Sequence, residues 1–171
     1  EDINASGYGL TFGLHTRIDD RVEKITSRLN VGNMYVNRNQ IGAVVGTQPF
    51  GGENLSGTGP KAGGPHYLKR FVSGDQPQPT DAVTGPDISI AVLQSTIDGL
   101  SDQRQEVSSS YLPGPTGESN KLSVFPIGRV LCLGPTAELA HDQAVAAQSV
   151  GCQALVVCPG ASGEHSIEGF L

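Results

Sequence analysis

Hydrophobic and polar positions form two α/β-type patterns, one near each end of the chain. Apolar and small residues alternate from Ser6 to Leu14, which predicts a strand loosened by glycine. Apolar residues then recur at helical spacing from Ile18 to Leu29, and Asn33 to Asn37 has the pattern of a second strand. Strand, helix and strand in this order predict an α/β crossover unit.

The start of the first helix is predicted from its polar residues. Thr16 precedes the periodic positions, and Asp19 follows it three residues later. This spacing resembles a capping box, in which a hydroxyl and a carboxylate satisfy free N–H groups of the first turn. We therefore expect the helix to begin at Thr16.

The second α/β pattern lies in the C-terminal third. Val130–Leu133 is a short apolar strand, and Thr136 follows a Gly-Pro turn as a helix N-cap. The helix is expected to end at Gly151, before a strand at Ala154–Val157. Two apolar strands joined by a helix predict a parallel pair.

Less regular sequence connects the two patterns. His66–Val72 is short and fits either a strand or a helix. Ser73–Pro86 lacks any period and predicts a linker, whereas Asp87–Arg104 has helical spacing. Gln105–Asn120 predicts a loop.

Between the first pattern and the linker lies a glycine-dense stretch, Gln40–Pro65. Glycine allows a backbone to turn left-handed or to approach another group closely. Long ordered loops in compact domains are usually functional. The stretch is interpreted as the floor of a substrate pocket whose catalytic groups lie outside this chain.

Three residues of this stretch are candidates for contact with substrate. The small residues Gly42 and Ala43 expose backbone N–H groups, and two such groups can hold a carboxylate without a cationic side chain. Phe50, between Pro49 and Gly51, would form an apolar wall. A purely structural loop remains the alternative at this point.

Two further glycine motifs are assigned no ligand. Gly57–Ala62 matches a relaxed dinucleotide fingerprint, but neither a strand before it nor a helix after it is predicted. Gly134-Pro135-Thr136 could bind an anion at the helix start, but ordinary capping is the preferred interpretation.

Charge and composition restrict the function. The net charge is −6 with only 11 Lys and Arg residues, which disfavours nucleic-acid binding. The three cysteines, Cys132, Cys152 and Cys158, lie in or beside apolar runs and are expected to be buried, in a reducing, cytoplasmic setting. The residues alone identify no metal site, no catalytic residue and no reaction.

Several segments resemble a known family. Tyr8–Leu10, Val31–Asn37 and the Pro-Phe-Gly-Gly-x-x-x-Ser-Gly element at Pro49–Gly57 resemble the C-terminal end of an aldehyde dehydrogenase catalytic domain. Thr58–Leu68 resembles the branch that oxidises L-glutamate γ-semialdehyde. Leu112–Asn120 resembles the entry into the extra C-terminal domain of longer members of the bifunctional proline utilisation A family.

The resemblance implies an α/β fold in three parts. Residues 1–72 would be the end of an aldehyde dehydrogenase domain, and residues 73–111 a linker with one helix. Residues 112–171 would begin a Rossmann-like C-terminal domain, related to the aldehyde dehydrogenase fold and not itself catalytic. Both chain ends look cut, so a fragment is expected.

The resemblance also implies a function. The parent would oxidise L-glutamate γ-semialdehyde, formed from 1-pyrroline-5-carboxylate, to glutamate with NAD. It would bind FAD in an upstream proline dehydrogenase domain. Gly42 and Ala43 would hold the substrate's α-carboxylate and Phe50 would pack near its aldehyde chain, whereas the catalytic cysteine and the NAD site would precede Glu1.

The partners and alternatives follow from the same resemblance. The expected partners are the small-molecule substrate and the missing upstream part of the polypeptide. No nucleic acid is expected to bind this segment. A homo-oligomer is possible, and the sequence does not determine the oligomeric state. The alternative is a fragment of a monofunctional aldehyde dehydrogenase with an unrelated tail. In a third interpretation the second α/β unit is a non-catalytic module.

Overall fold

The computed structural model describes residues 2–41, 43–72, 85–101 and 104–169. The chain divides into two compact units. Unit 1 comprises Glu1–Gly74 and Tyr111–Lys121, and unit 2 comprises Asp75–Ser110 and Leu122–Leu171. Each unit mixes helices with small sheets, which confirms the predicted α/β class.

Unit 1 contains short elements joined by long loops. In chain order they are α1 (Asp2–Ala5), β1 (Tyr8–Gly9), β2 (Thr11–Leu14), α2 (Asp19–Thr26), β3 (Asn33–Val36), β4 (Glu53–Asn54) and a 3₁₀ helix (Tyr67–Phe71). β1 pairs antiparallel with β4, and β2 pairs parallel with β3.

The predicted crossover unit is confirmed by the β2–β3 pair. Thr11 lies opposite Asn33 and Leu14 lies opposite Val36, with α2 connecting the two strands. On β3 the side chains alternate, so that Asn33 and Tyr35 are buried and their neighbours are half-buried. The alternation directs Asn33 into the interior of unit 1.

The predicted helix start at Thr16 is wrong. α2 begins at Asp19, with Ile18 as its N-cap residue and no side-chain capping bond. The Thr16 backbone is instead paired with Asn37: its N–H donates to Asn37 Oδ1 at 2.9 Å, and its carbonyl accepts from Asn37 Nδ2 at 2.8 Å. These two bonds hold Thr16 beside the end of β3, outside the helix.

Unit 2 is built on a three-stranded parallel sheet. Its elements and those adjoining it are α3 (Ile90–Gly99), β5 (Ser108–Leu112), β6 (Asn120–Val124), β7 (Arg129–Cys132), α4 (Ala137–Ser149), β8 (Gln153–Val157) and β9 (Ser166–Ile167). The sheet order is β7-β8-β9. The parallel pairing of β7 with β8 through α4 is confirmed.

The buried strand β8 separates two apolar clusters. On one face Ala154 and Val156 pack with Cys132 and the alanines of α4. On the other face Leu155 and Val157 pack with Leu100, next to α3. The alternation of side chains along β8 therefore places a different apolar layer on each side of the sheet.

Four strands, β4, β5, β6 and β9, lie where the sequence indicated none. Ser108–Leu112 falls within the predicted loop Gln105–Asn120, yet it pairs with β6. β9 adds a third strand beside β8. Of the two alternatives for His66–Val72, the structure has the helix, as a 3₁₀ turn. Most of the predicted linker lies outside the described residues.

The cap of α4 is confirmed. Thr136 has extended backbone angles, and its hydroxyl oxygen accepts the N–H of Leu139 at 3.3 Å. Gly151 follows the helix with a positive φ of 84°, a conformation that glycine adopts without steric strain. Both ends of α4 are thus determined by local sequence.

We expect Thr136→Ala to lower the free energy of unfolding of unit 2 by about 1 kcal/mol, because the Leu139 N–H loses its acceptor. Thr136→Ser keeps the hydroxyl and serves as the control. Chemical denaturation followed by far-UV circular dichroism measures both variants. Equal stabilities for the Ala and Ser variants would show that the hydroxyl contributes nothing.

Candidate functional site

The glycine-dense stretch folds back on itself as an ordered loop. Val44 and Gln48 exchange backbone hydrogen bonds of 3.3 and 2.7 Å across a tight turn. Phe50 and Ala62 exchange two more, of 3.0 and 2.8 Å. The 43–50 segment is therefore held against residues near the end of the same stretch.

Asn33 joins this loop to β3. Its side chain is 9% exposed, its Nδ2 donates to the Pro49 carbonyl at 2.9 Å, and its Oδ1 accepts the Gly51 N–H at 3.1 Å. A single amide thus binds the backbone on both sides of Phe50. Because β3 is fixed by its pairing with β2, the position of Phe50 is fixed with it.

Lys61 completes the junction from the far end of the loop. Its Nζ donates to the Gly32 carbonyl at 2.5 Å, to the Gly51 carbonyl at 2.7 Å and to Asn33 Oδ1 at 3.2 Å. Burial lowers the pKa of the Lys61 ammonium, and the charge of Glu53 acts in the opposite direction. The ammonium is an internal cross-link between three backbone segments.

The backbones around Lys61 approach one another too closely for side chains. A Cβ atom on Gly32 would overlap the Gly51 carbonyl, and one on Gly52 would overlap the backbone of Ser56. These contacts explain why glycine is required at Gly32 and Gly52. The Pro-Phe-Gly-Gly element therefore serves close packing at this junction.

A second set of polar contacts holds the turn from its other side. Gln48 is 8% exposed, and its Nε2 donates to Glu118 Oε2 at 3.2 Å and to Asn120 Oδ1 at 3.4 Å. Arg38, just after β3, forms an ion pair with Glu118 at 3.0 Å and lies over the Tyr35 ring at 5.5 Å. All five residues belong to unit 1.

The three predicted substrate residues have different outcomes. Gly42 lies outside the described residues. Ala43 is exposed and belongs to no strand or bridge, while Phe50 is half-buried with its backbone paired to Ala62. Their contact with substrate stays a prediction.

The stretch Gly57–Ala62 lacks the geometry of a dinucleotide loop. A two-residue strand, β4, precedes it, and the next helix is the 3₁₀ turn that begins at Tyr67. Lys61 points into the junction and Ala62 is bridged to Phe50. These residues do not fit a bound dinucleotide.

The side chains of the junction were not found from the sequence. Asn33 lies in a predicted strand and Lys61 in a glycine motif that is assigned no ligand, and the sequence gives neither side chain a partner. One signal was available: Lys61 is the only cationic residue within Gln40–Pro65, where it has no carboxylate but Glu53.

Other chemistry is sparse in the part of the chain that the structure describes. No group of three His, Cys, Asp or Glu residues there could hold a metal ion. No described helix is both long and apolar enough to cross a membrane. Cys132, Cys152 and Cys158 are free and buried, as predicted, and burial raises the pKa of the Cys132 and Cys158 thiols.

We expect Lys61→Met to lower the free energy of unfolding of unit 1 by about 1–3 kcal/mol, because two part-buried carbonyls lose their donor. All four tyrosines lie in unit 1, so tyrosine fluorescence during urea denaturation reports on this unit. Lys24→Met, on the exposed side of α2, is the matched control. Equal stabilities of the Lys61→Met and Lys24→Met variants would contradict the cross-link.

The difference between wild type and Lys61→Met should also grow with pH. The folded-state pKa of Lys61 lies below its ordinary value of 10.5, so between these two values the unfolded chain binds more protons than the folded chain. The wild type therefore gains stability as the pH rises through this window. Denaturation curves at pH 7.0 and 10.5 span the window up to the ordinary value and measure the change, and a difference that shrinks would contradict it.

Comparison with known proteins shows what this chain is similar to. Residues 1–75 match the family model "Aldehyde dehydrogenase family". In an alignment of 180 positions the chain is 45% identical to "Bifunctional protein PutA" of Klebsiella aerogenes. The alignment covers 91% of this chain and 14% of that protein. Over 65 residues it is 54% identical to "1-pyrroline-5-carboxylate dehydrogenase" of Bacillus cereus, covering 38% of this chain and 13% of that protein.

Among solved structures, Proline Utilization A of Bradyrhizobium japonicum is 72% identical over 40% of this chain and 7% of its own, with a TM-score of 0.40. The chain spans about 14% of the length of the bifunctional relatives that it matches. The predicted resemblance to aldehyde dehydrogenases and to the bifunctional proteins is confirmed. The chain is therefore similar to PutA proteins over most of its length, and its residues 1–75 match the aldehyde dehydrogenase family.

Proposed function

We propose that this chain is part of an NAD-dependent L-glutamate γ-semialdehyde dehydrogenase within a longer, bifunctional protein of proline catabolism. One observation carries the proposal: similarity to the bifunctional proteins covers 91% of the chain and continues beyond the family-matched residues 1–75. Similarity to dehydrogenases of 1-pyrroline-5-carboxylate, over 38% of the chain, supports the same substrate.

The chain's own contribution would be to bind and orient the substrate. The substrate carries an α-carboxylate at one end and an aldehyde at the other. Backbone N–H groups at Gly42 and Ala43 would hold the carboxylate, and the Phe50 ring would line the path of the aliphatic chain. The exposure of Ala43 and the fixed backbone of Phe50 support this assignment.

We assign both cofactors to other parts of the longer polypeptide. NAD would accept the hydride from the semialdehyde, and FAD would serve an upstream proline dehydrogenase. The contacts of Gly57–Ala62 support this assignment for NAD, because Lys61 binds the Gly51 carbonyl and Ala62 pairs with Phe50.

The rest of the polypeptide is also the proposed partner of unit 1. Seven large hydrophobic side chains among the described residues of this unit are each at least 70% exposed: Ile41, Val45, Leu55, Leu68, Phe71, Val72 and Tyr111. Exposed apolar surface of this extent usually marks a contact surface. We propose that the remainder of the catalytic domain covers it.

Two other interpretations carry less support. A monofunctional dehydrogenase with an unrelated tail would not predict similarity to bifunctional proteins across 91% of the chain. We propose that unit 2 is a non-catalytic module in either case, as the resemblance of its sequence to the extra C-terminal domain of the longer family members implies. We also propose a reducing, cytoplasmic setting, which the three free cysteines support.

We expect Ala43→Pro, in the longer polypeptide, to raise KM for the semialdehyde on the order of ten-fold, because the N–H that binds the carboxylate is removed. Ala43→Gly keeps the N–H and is the control. Steady-state kinetics should show no such change with propanal, which has no carboxylate. An equal rise in KM for both aldehydes would contradict the carboxylate assignment.

We expect the 171-residue chain alone to reduce no NAD with 1-pyrroline-5-carboxylate, because the proposed nucleophile and NAD site lie in the remainder of the polypeptide. The longer polypeptide should do so under the same conditions. Absorbance of NADH at increasing protein concentration measures both. Turnover by the 171-residue chain would show that it contains a complete active site.

A further inference from the structure

A carboxylate from a distant part of the sequence supports the 43–50 segment. Glu118 lies 80 residues from Arg38 and 70 residues from Gln48, yet it bonds to both. It also lies outside residues 1–75, which match the aldehyde dehydrogenase family. Residues 111–121 nevertheless belong to the same compact unit as the loop.

We propose that Glu118 is a positioning residue that sets the geometry of the 43–50 segment and thereby its affinity for the substrate's carboxylate. The inference rests on the proposed function for its substrate. Glu118 itself would not touch the substrate, and its effect would pass through Gln48 and Arg38.

Gln48 transmits the effect to the turn. Its backbone is bonded to Val44 in both directions, so Gln48 cannot shift without moving the turn that follows Ala43. Its buried side chain donates only to Glu118 and Asn120 among the contacts described, and its Oε1 has no hydrogen-bond partner there. The 118–120 stretch therefore supplies the acceptors that orient Gln48.

Arg38 fixes the other end of the same loop. It follows β3, and its guanidinium is held both by the Tyr35 ring and by Glu118. The side chains of Arg38 and Glu118 are only 30% and 33% exposed, which limits solvent screening of the pair. One carboxylate thus connects the residues that precede and close the loop containing Ala43.

The ion pair has a second consequence for substrate binding. An unpaired Arg38 would be a free cation near a loop proposed to bind an anion. With Glu118 bound at 3.0 Å, that charge is neutralised and the backbone N–H groups alone would select the carboxylate. Removal of Glu118 would therefore have two opposite effects on carboxylate binding. Loss of the loop geometry would weaken it, whereas release of Arg38 would strengthen it, and the proposal requires the first effect to dominate.

The test compares Glu118→Ala, Glu118→Gln and wild type in the longer polypeptide. Glu118→Ala should raise KM for the semialdehyde about three- to ten-fold, with kcat within about two-fold, because a charge-assisted contact is lost. Glu118→Gln keeps one acceptor and should show a smaller rise. KM for propanal should stay constant, and Glu23→Ala, on the exposed surface of α2, is the matched control.

Three results would overturn the proposal: an unchanged KM, a lower KM as released Arg38 binds the carboxylate, or equal losses with both aldehydes. Amide hydrogen exchange of the 171-residue chain gives a readout independent of activity. Glu118→Ala should accelerate exchange at Gln48 but not at Asn33 in β3, whose N–H donates to the Leu10 carbonyl. If wild type oxidises no semialdehyde, the proposed function fails, and unchanged exchange at Gln48 would separately overturn the role of Glu118.

Discussion

The conformation of the glycine-dense loop depends on the hydrogen bonds that the Lys61 ammonium donates. It is partly removed from water, and three oxygen atoms from Gly32, Asn33 and Gly51 compensate for that loss. Such a contact requires backbones that approach without intervening side chains, which Gly32 and Gly52 allow. The glycines and the lysine therefore act together. The glycines let the backbones approach, and Lys61 donates hydrogen bonds to the carbonyls that this approach brings together.

The parts of the fold that sequence predicted are those determined by short-range patterns. The parallel pairs β2–β3 and β7–β8 follow from apolar strands joined by helices, and the Thr136 cap involves a partner only three residues away. The predicted start of α2 is wrong because a long-range contact overrides the local pattern. Thr16 has the correct local pattern, but Asn37, 21 residues later, binds its backbone. The serine-rich β5 has no alternation to reveal its pairing.

The candidate site divides in the same way. Ala43 and Phe50 could be proposed from local chemistry, since small residues expose N–H groups and an aromatic ring provides apolar surface. The roles of Lys61, Gln48 and Glu118 could not be proposed, because their partners lie 10 to 80 residues away along the chain. Position in the fold gives these side chains their role, and only the folded chain reveals it.

The cysteines of unit 2 have a consequence for studying this molecule. Cys132 and Cys158 lie in the same apolar cluster, at 0% and 2% exposure, and their raised pKa keeps them as thiols. The thiolate is the form that reacts with alkylating reagents, so neither sulfur reacts while the sheet is closed. Their alkylation rate would therefore measure how often this cluster between α4 and the sheet opens to solvent.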